Sequence, residues 1–259
     1  MSLPKTYKTE AIVIKHADLG EADRILTLIT SRAGKIRAVG KGVRRMKSRL
    51  GGHLEPLTHC SLMLTRGRQL DTISQSQTID AFFGIRGDLR LTAYALYLSE
   101  LTDAFSSERA ENYPIYKLLL DTLHHLEKTP SVTVLSRYFE LQLVGHAGYQ
   151  PQLHECLNCH TPLKPVANYF TPSGGGVLCP DCMHIEAVVQ PLSLNSLKVL
   201  RLLQSSDWAS VGRLRLKTEL SQELERITRG YARYLLERDL KSTAFIHRLK
   251  REGIAEEVD

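Results

Sequence analysis

The chain has 259 residues and a formal net charge of +6, with 42% hydrophobic and 24% charged residues, which is the composition of a globular protein rather than of a disordered chain. Its most apolar stretch, residues 89–101, is interrupted by Arg90 and Glu100 and is far shorter than the roughly 18 apolar residues that a membrane span needs. The N-terminal residues lack the cleavage site of a secretory signal, so we expect a cytoplasmic protein.

The first 80 residues carry the pattern of short β-strands. β-Branched or alternating runs, separated by turn residues, predict strands at residues 11–15, 25–30, 35–39, 57–65 and 70–82. Five short strands fit a small barrel, and the OB-fold is the commonest five-stranded barrel of this kind. We therefore predict an OB-fold domain over residues 1–80.

Basic residues are concentrated in the same segment. Residues 1–80 contain 14 Lys or Arg against 7 Asp or Glu, whereas the rest of the chain contains 20 against 21. Residues 32–49 contain no acidic residue and eight basic ones, namely Arg32, Lys35, Arg37, Lys41, Arg44, Arg45, Lys47 and Arg49. A solvated loop is the simplest interpretation, but so unbalanced a cluster attracts polyanions. We predict a phosphate-binding groove with nucleic acid as its ligand; an acidic protein or lipid is the alternative.

Aromatic residues are scarce in this segment. Only Tyr7, Phe82 and Phe83 lie within the first 83 residues, so base stacking has few candidate platforms. We therefore expect contacts with the nucleic-acid backbone to dominate, which predicts steep salt dependence and little sequence preference.

The remainder of the chain, residues 81–259, has helical periodicity. Apolar residues at spacings of three and four predict helices at residues 94–105, 115–126, 132–146, 193–203 and 220–235. Pro114 and Pro130 mark boundaries between them, and residues 251–259 are expected to fray. The predicted fold class is thus α+β, with a barrel domain followed by a mostly helical domain.

Four of the five cysteines form two Cys-x-x-Cys pairs. Cys156 and Cys159 make the first pair, Cys179 and Cys182 make the second, and 19 residues separate the two. This spacing is typical of zinc-ribbon sites, in which each pair directs two thiolates toward one ion. The glycine-rich run 173–176 predicts a hairpin that brings the pairs together. We predict one zinc ion bound by these four cysteines, in an insertion at about residues 154–185.

Disulfides and a redox centre are the alternatives to zinc. Cytoplasmic thiols stay reduced, and a thioredoxin-like centre uses one pair near a βαβ pattern that is missing here. The neighbouring His154, His160 and His184 could each replace one ligand, but two complete pairs favour the cysteines. Four thiolates leave no open position for water, so the predicted zinc is structural. Cys60 is predicted to be a small buried residue.

No motif predicts an enzyme. Residues 34–42 superficially resemble a phosphate-binding P-loop, but five residues rather than four separate the glycines, and Gly42 stands where a Ser or Thr is required. We therefore expect no nucleotide hydrolysis.

The combined features resemble the RecO family of bacterial DNA repair proteins. The resemblance covers nearly the whole chain and is strongest in three pieces: the opening YKTEAIVIKHADLGEADRILTLITSRAGKIRAVGKGVRR, the paired CLNC and CPDC, and the closing YARYLLERDLKSTAFIHRL. It implies an OB-fold, a helical domain and a non-enzymatic recombination mediator of the cytoplasm, associated with the nucleoid.

The resemblance also implies ligands and partners. Such proteins bind single- and double-stranded DNA, anneal complementary strands, partner RecR, contact the single-stranded-DNA-binding protein and help RecA to load. The DNA contacts carry over only to the matching basic stretch: Lys35, Arg37, Lys41, Arg44, Arg45, Lys47 and Arg49. The residues themselves leave open an alternative of another class, a zinc-ribbon and OB-fold adaptor that binds RNA or a transcription complex; an enzyme that uses zinc in hydrolysis ranks third.

Overall fold

The computed structural model describes residues 5–129 and 131–253. Its contacts divide these residues into two compact units: residues 5–127 together with residues 244–253, and residues 128–129 together with residues 131–243. Most of the tail that was expected to fray, residues 254–259, lies outside the described residues. Within the described ranges, every helix is too short or too polar to cross a membrane.

The first unit contains the predicted five-stranded barrel. Its strands are β1 (Thr6–Leu19), β2 (Asp23–Thr30), β3 (Gly34–Gly40), β4 (His59–Thr65) and β5 (Asp71–Asp80). They form a closed barrel in the order β1, β2, β3, β5, β4, in which only the pairing of β3 with β5 is parallel. This topology confirms an OB-like fold. β1 is longer than predicted, because its polar first half pairs with β4 without contributing an apolar pattern.

Alternate strand residues fill the barrel. Leu26, Leu28, Ile36 and Leu62 are almost completely buried in one apolar cluster. Each such side chain contributes about 1.5–3 kcal/mol when it leaves water. Cys60 lies in the same cluster, as predicted, and burial raises the pKa of its thiol to about 12.

One end of β5 is fixed by a buried carboxylate. Asp71 is inaccessible to solvent; it accepts hydrogen bonds from the Tyr7 hydroxyl, from Arg109 Nη2 at 2.8 Å and from the Gly67 amide at 3.2 Å. Burial alone raises the pKa of Asp71, but these donors outweigh burial and lower it. The Arg66 guanidinium stacks 4.4 Å above the centre of the Tyr7 ring. The network ties β1, β5 and the segment around Arg109 together.

Three helices follow the barrel within the first unit: α1 (Phe83–Arg86), α2 (Leu89–Phe105) and α3 (Tyr113–Leu126). The Asp88 carboxylate caps α2, and the Asn112 side chain accepts a hydrogen bond from the Ile115 amide at the start of α3. α2 contacts β1, and α3 contacts β2. The domain boundary expected after residue 80 stays a prediction, and the compact unit that contains the barrel extends to residue 127.

Gly34 permits a close approach between β3 and the segment after α2. Its φ angle is +64°, and a Cβ atom there would lie 1.9 Å from the Ala110 carbonyl oxygen. We expect Gly34→Ala to lower the free energy of unfolding by more than about 2 kcal/mol, because it adds this clash to an unfavourable φ. Urea unfolding followed by circular dichroism measures the change.

Gly20→Ala is the matched control for that substitution. Gly20 has nearly the same φ, +59°, but no atom lies within 4 Å of the position that a Cβ atom would take there. Its replacement should cost only about 1 kcal/mol, the cost of the backbone conformation. Equal losses for the two variants would contradict the close-approach argument.

The second unit combines helices with a small sheet. It contains α4 (Val132–His146), the strands β6 (Asn168–Thr171), β7 (Gly176–Leu178) and β8 (Gln190–Leu192), and the helices α5 (Leu194–Ser205), α6 (Trp208–Val211) and α7 (Thr218–Leu236). α4 packs against α5 and α7, so these three predicted helices form the core of the second unit. A further helix, α8 (Lys241–Arg251), starts in this unit and belongs to the first unit from residue 244 onward; it was not predicted because its apolar positions are few.

Candidate nucleic-acid interface and metal centre

The connection after β3 forms an ordered basic loop, which we define as residues 41–49. Val43 is 5% exposed and packs into the barrel core, which anchors the loop. The Gly42 amide donates to Asp23 Oδ1 at 2.7 Å, and the Arg44 amide donates to the Ala22 carbonyl at 3.0 Å. The loop therefore has a fixed path between the strands that it joins.

The basic loop presents a set of exposed cations. The five exposed basic side chains are Lys41, Arg44, Arg45, Lys47 and Arg49. Met46 stands fully exposed among them. Arg37 is also exposed, on the outer face of β3. The barrel thus leaves six of the seven predicted DNA contacts open to solvent.

Lys35 is the exception. It faces outward from β3 like Arg37, as the strand alternation predicts, but its Nζ donates to the Asp103 carbonyl oxygen at 2.6 Å and lies 3.2 Å from Asp103 Oδ1. Lys15 pairs with the same carboxylate. Burial raises the pKa of Asp103, but the two lysines outweigh it and lower the pKa. Lys35 would have to break this ion pair before it could reach a phosphate.

Residues 32–49 contain no acidic residue, but the fold brings an acidic group close to Lys35. The same holds for Arg44, whose Nη1 lies 3.5 Å from Asp18 Oδ2. Both acids are remote in sequence from the basic residues, and only the folded chain brings them close. Arg45, Lys47 and Arg49 form no ion pair within the described residues.

The basic segment is also divided in space. Arg32 lies in the turn before β3, and the basic loop begins where β3 ends. A strand of this length separates its ends by roughly 20 Å. Arg32 instead lies beside Lys8 and Tyr113, two residues that nothing in the local sequence singles out, because the barrel and α3 bring them together.

The four paired cysteines lie together in the second unit. Their sulfur atoms are all within 4.8 Å of one another, and Cys159 Sγ lies 3.8 Å from Cys179 Sγ. Four sulfurs placed tetrahedrally about 2.3 Å from one ion stand about 3.8 Å apart. The arrangement therefore fits a single tetrahedral ion. None of the three flanking histidines belongs to this group within the described residues.

A hairpin brings the two pairs together, as the glycine run predicted. β6 and β7 are antiparallel and joined through residues 172–175. Gly175 has φ of +64°, and a Cβ at Gly176 would lie 2.7 Å from the Gln152 carbonyl. This close approach places the segment before Cys156 beside the strand that leads to Cys179.

Hydrogen bonds favour the thiolate form of the first cysteine pair. Burial by itself raises the pKa of Cys156, but three backbone amides donate to its sulfur and lower the pKa to about 6. Thr161 donates to Cys159 and lowers the pKa of that thiol. Burial and the other three sulfurs raise the pKa of Cys179 to about 12, because negative charge accumulates at one point. A divalent cation would neutralise that charge, so the donor set fits a metal such as zinc.

Comparisons with known proteins cover both units. Residues 1–82 match the family model described as Recombination protein O N terminal, and residues 86–244 match the one described as Recombination protein O C terminal.

Curated relatives match over most of their length. The DNA repair protein RecO of Dehalococcoides mccartyi is 41% identical over 254 residues, which is 98% of this chain and all of the relative. That of a Roseiflexus species is 42% identical over 93% of this chain and 85% of the relative. That of Shouchella clausii is 31% identical over 97% and 98%.

Proposed function

Because the chain belongs to the RecO family of DNA repair proteins, whose models and relatives cover nearly all of it, we propose that it binds single- and double-stranded DNA through the barrel and promotes the annealing of complementary strands. The observation that carries the proposal is the anchored basic loop, whose five cations are exposed.

The charge of the loop suits annealing. Two complementary strands repel each other through their phosphates, and a protein that neutralises phosphates lowers this repulsion. Lys and Arg side chains that contact the backbone leave the pairing edges of the bases free. The basic loop, with Arg37 on the adjacent strand, would supply such contacts. Lys35 contributes only if its ion pair with Asp103 opens.

We further propose that the cysteine centre holds one structural zinc ion. Four thiolates from Cys156, Cys159, Cys179 and Cys182 saturate a tetrahedral ion and leave no position for a reacting water, so this zinc would not be catalytic. The proposed role, as in the family resemblance, is that of a non-enzymatic mediator. Zinc there would fix the hairpin that carries the second pair.

The proposed partners are those that the family resemblance implies. They are RecR, the single-stranded-DNA-binding protein and, indirectly, RecA, whose loading the chain would assist. An adaptor for RNA or a transcription complex is the alternative, and the curated relatives favour it less because each is named a DNA repair protein. Competition between single-stranded DNA and structured RNA at fixed salt distinguishes the two functions.

Strand annealing tests the proposal directly. Complementary oligonucleotides that carry a fluorophore and a quencher should pair faster when the full chain is added, without any nucleotide cofactor. Five phosphate contacts predict a salt slope of about −3.5 on single strands, so affinity should fall about a hundredfold between roughly 50 and 200 mM salt. Annealing that the protein leaves unchanged, or binding that salt does not weaken, would contradict it.

A further inference from the structure

A polar cavity opens on the surface of the first unit, and none of its lining residues belongs to the basic loop. Its volume is about 460 Å³, and it is lined by Lys8, Thr9, Glu10, Ser31, Arg32, Ser61 and Tyr113. These residues come from β1, the turn after β2, β4 and the start of α3. Pairing places Ser61 of β4 opposite Glu10 of β1, and the Ser31 amide donates to the Glu10 carbonyl at 3.0 Å. The barrel therefore fixes the walls of the cavity.

The cavity has two available cations. Lys8 and Arg32 are exposed, and within the described residues neither forms an ion pair or a side-chain hydrogen bond. Glu10 is the one carboxylate in the lining; its Oε2 accepts from the Tyr116 hydroxyl at 3.2 Å, and it offsets only one of the two cations. The charge left for a ligand is positive, which favours an anion such as a phosphate.

Tyr113 adds an aromatic surface to the same cavity. It is the first residue of α3, where Pro114 and the Asn112 cap fix the backbone. Its ring centre lies 5.9 Å from that of Tyr116 at an interplanar angle of 40°, so the ring is supported within the protein. Tyr113 nevertheless remains 51% exposed to solvent. A supported, half-exposed ring beside cations is a platform on which a planar group can stack.

We propose that this cavity binds one unstacked nucleotide of a single strand, with its base on Tyr113, its phosphate between Lys8 and Arg32, and its sugar near Ser31 and Ser61. The proposal deepens the proposed DNA binding and rests on it. Cations beside an aromatic ring match the chemistry of a single strand, whose bases are free to stack on protein. The bases of a duplex are already stacked, so the cavity selects single strands.

Three nucleic-acid ligands distinguish the base contact at Tyr113 from the phosphate contacts of the basic loop. We would measure binding of the full chain to oligothymidylate, to an abasic strand of equal length and to a duplex. Tyr113→Ala should weaken binding of oligothymidylate about tenfold and leave the abasic strand and the duplex unchanged. Tyr113→Phe should bind like the wild type because it keeps the ring. Charge reversal in the basic loop should instead weaken all three ligands.

A control variant and a crosslinking measurement complete the test. Tyr149→Ala removes another half-exposed tyrosine, which lies in the second unit, and should change nothing. In the wild-type protein, a strand that contains 5-iodouracil should crosslink to Tyr113 under ultraviolet light. This measurement does not depend on whether a variant folds. Equal loss on the abasic strand and on oligothymidylate, or crosslinking only elsewhere, would overturn the proposal. If Tyr113→Ala binds oligothymidylate like the wild type while charge reversal in the basic loop still weakens binding, the inference about the cavity is wrong and the proposed DNA binding stands.

Discussion

Replacing Cys182 by serine is expected to remove the metal from the chain and to unfold the sheet formed by β6, β7 and β8. The four sulfurs lie within 4.8 Å of one another, and the second pair is held in place by a hairpin of two short strands. The three strands are short, so the buried side chains that they contribute, such as Phe170 and Leu178, form only a small core. Structural zinc contributes on the order of 10 kcal/mol or more in zinc-finger peptides, which exceeds what these strands could supply.

Elemental analysis and hydrogen exchange measure these two effects. The wild-type chain should contain one zinc per molecule and the variant close to none, and amides of residues 168–192 should lose protection in the variant. Because thiolates must lose protons to bind the ion, metal affinity should also decrease as pH falls.

Cys60→Ala is the matched control for the metal centre. Cys60 is the remaining cysteine and lies in the barrel core, so its replacement should retain one zinc and cost only the stability of a small cavity. Full metal content in the Cys182 variant would exclude the four-cysteine centre. A stoichiometric metal other than zinc would contradict the proposed identity of the ion while leaving the centre in place.

Charge reversal in the basic loop is expected to abolish most of the DNA binding. Arg45, Lys47 and Arg49 are exposed and form no ion pairs within the described residues, so glutamates there should leave the barrel folded. Three lost phosphate contacts should lower the salt slope on single strands by about 2, and affinity at low salt should fall at least about a hundredfold. Single- and double-stranded DNA should be affected alike, since both present phosphates.

Three basic residues of the second unit provide the control. Arg213, Arg215 and Lys217 are also exposed, and their reversal changes the net charge by the same amount. This control should bind DNA nearly as well as the wild type. The loop variant and the control variant should both keep the thermal unfolding and the zinc content of the wild type. An equal loss in the control would mean that net charge, rather than the loop, governs binding.

Local periodicity was sufficient for most of the architecture. Strand alternation predicted the five barrel strands, and apolar spacing predicted α2 to α5 and α7, because each pattern follows from which face of an element is buried. α8 was missed because it contains few apolar residues. The metal centre was predictable because its ligands are close in sequence within each pair.

The barrel, most of the helices, the cysteine pairs and the excess of cations in residues 32–49 are predictable from the residues alone, since each depends on neighbours along the chain. Which of the cations are available to a ligand depends on the folded chain. It paired Lys35 with Asp103, brought Arg44 close to Asp18, and placed Arg32 at the opposite end of β3 from the basic loop, beside Lys8 and Tyr113. The physical reason is that electrostatic and stacking contacts depend on distances in space, and closing a barrel joins residues that lie far apart in the chain.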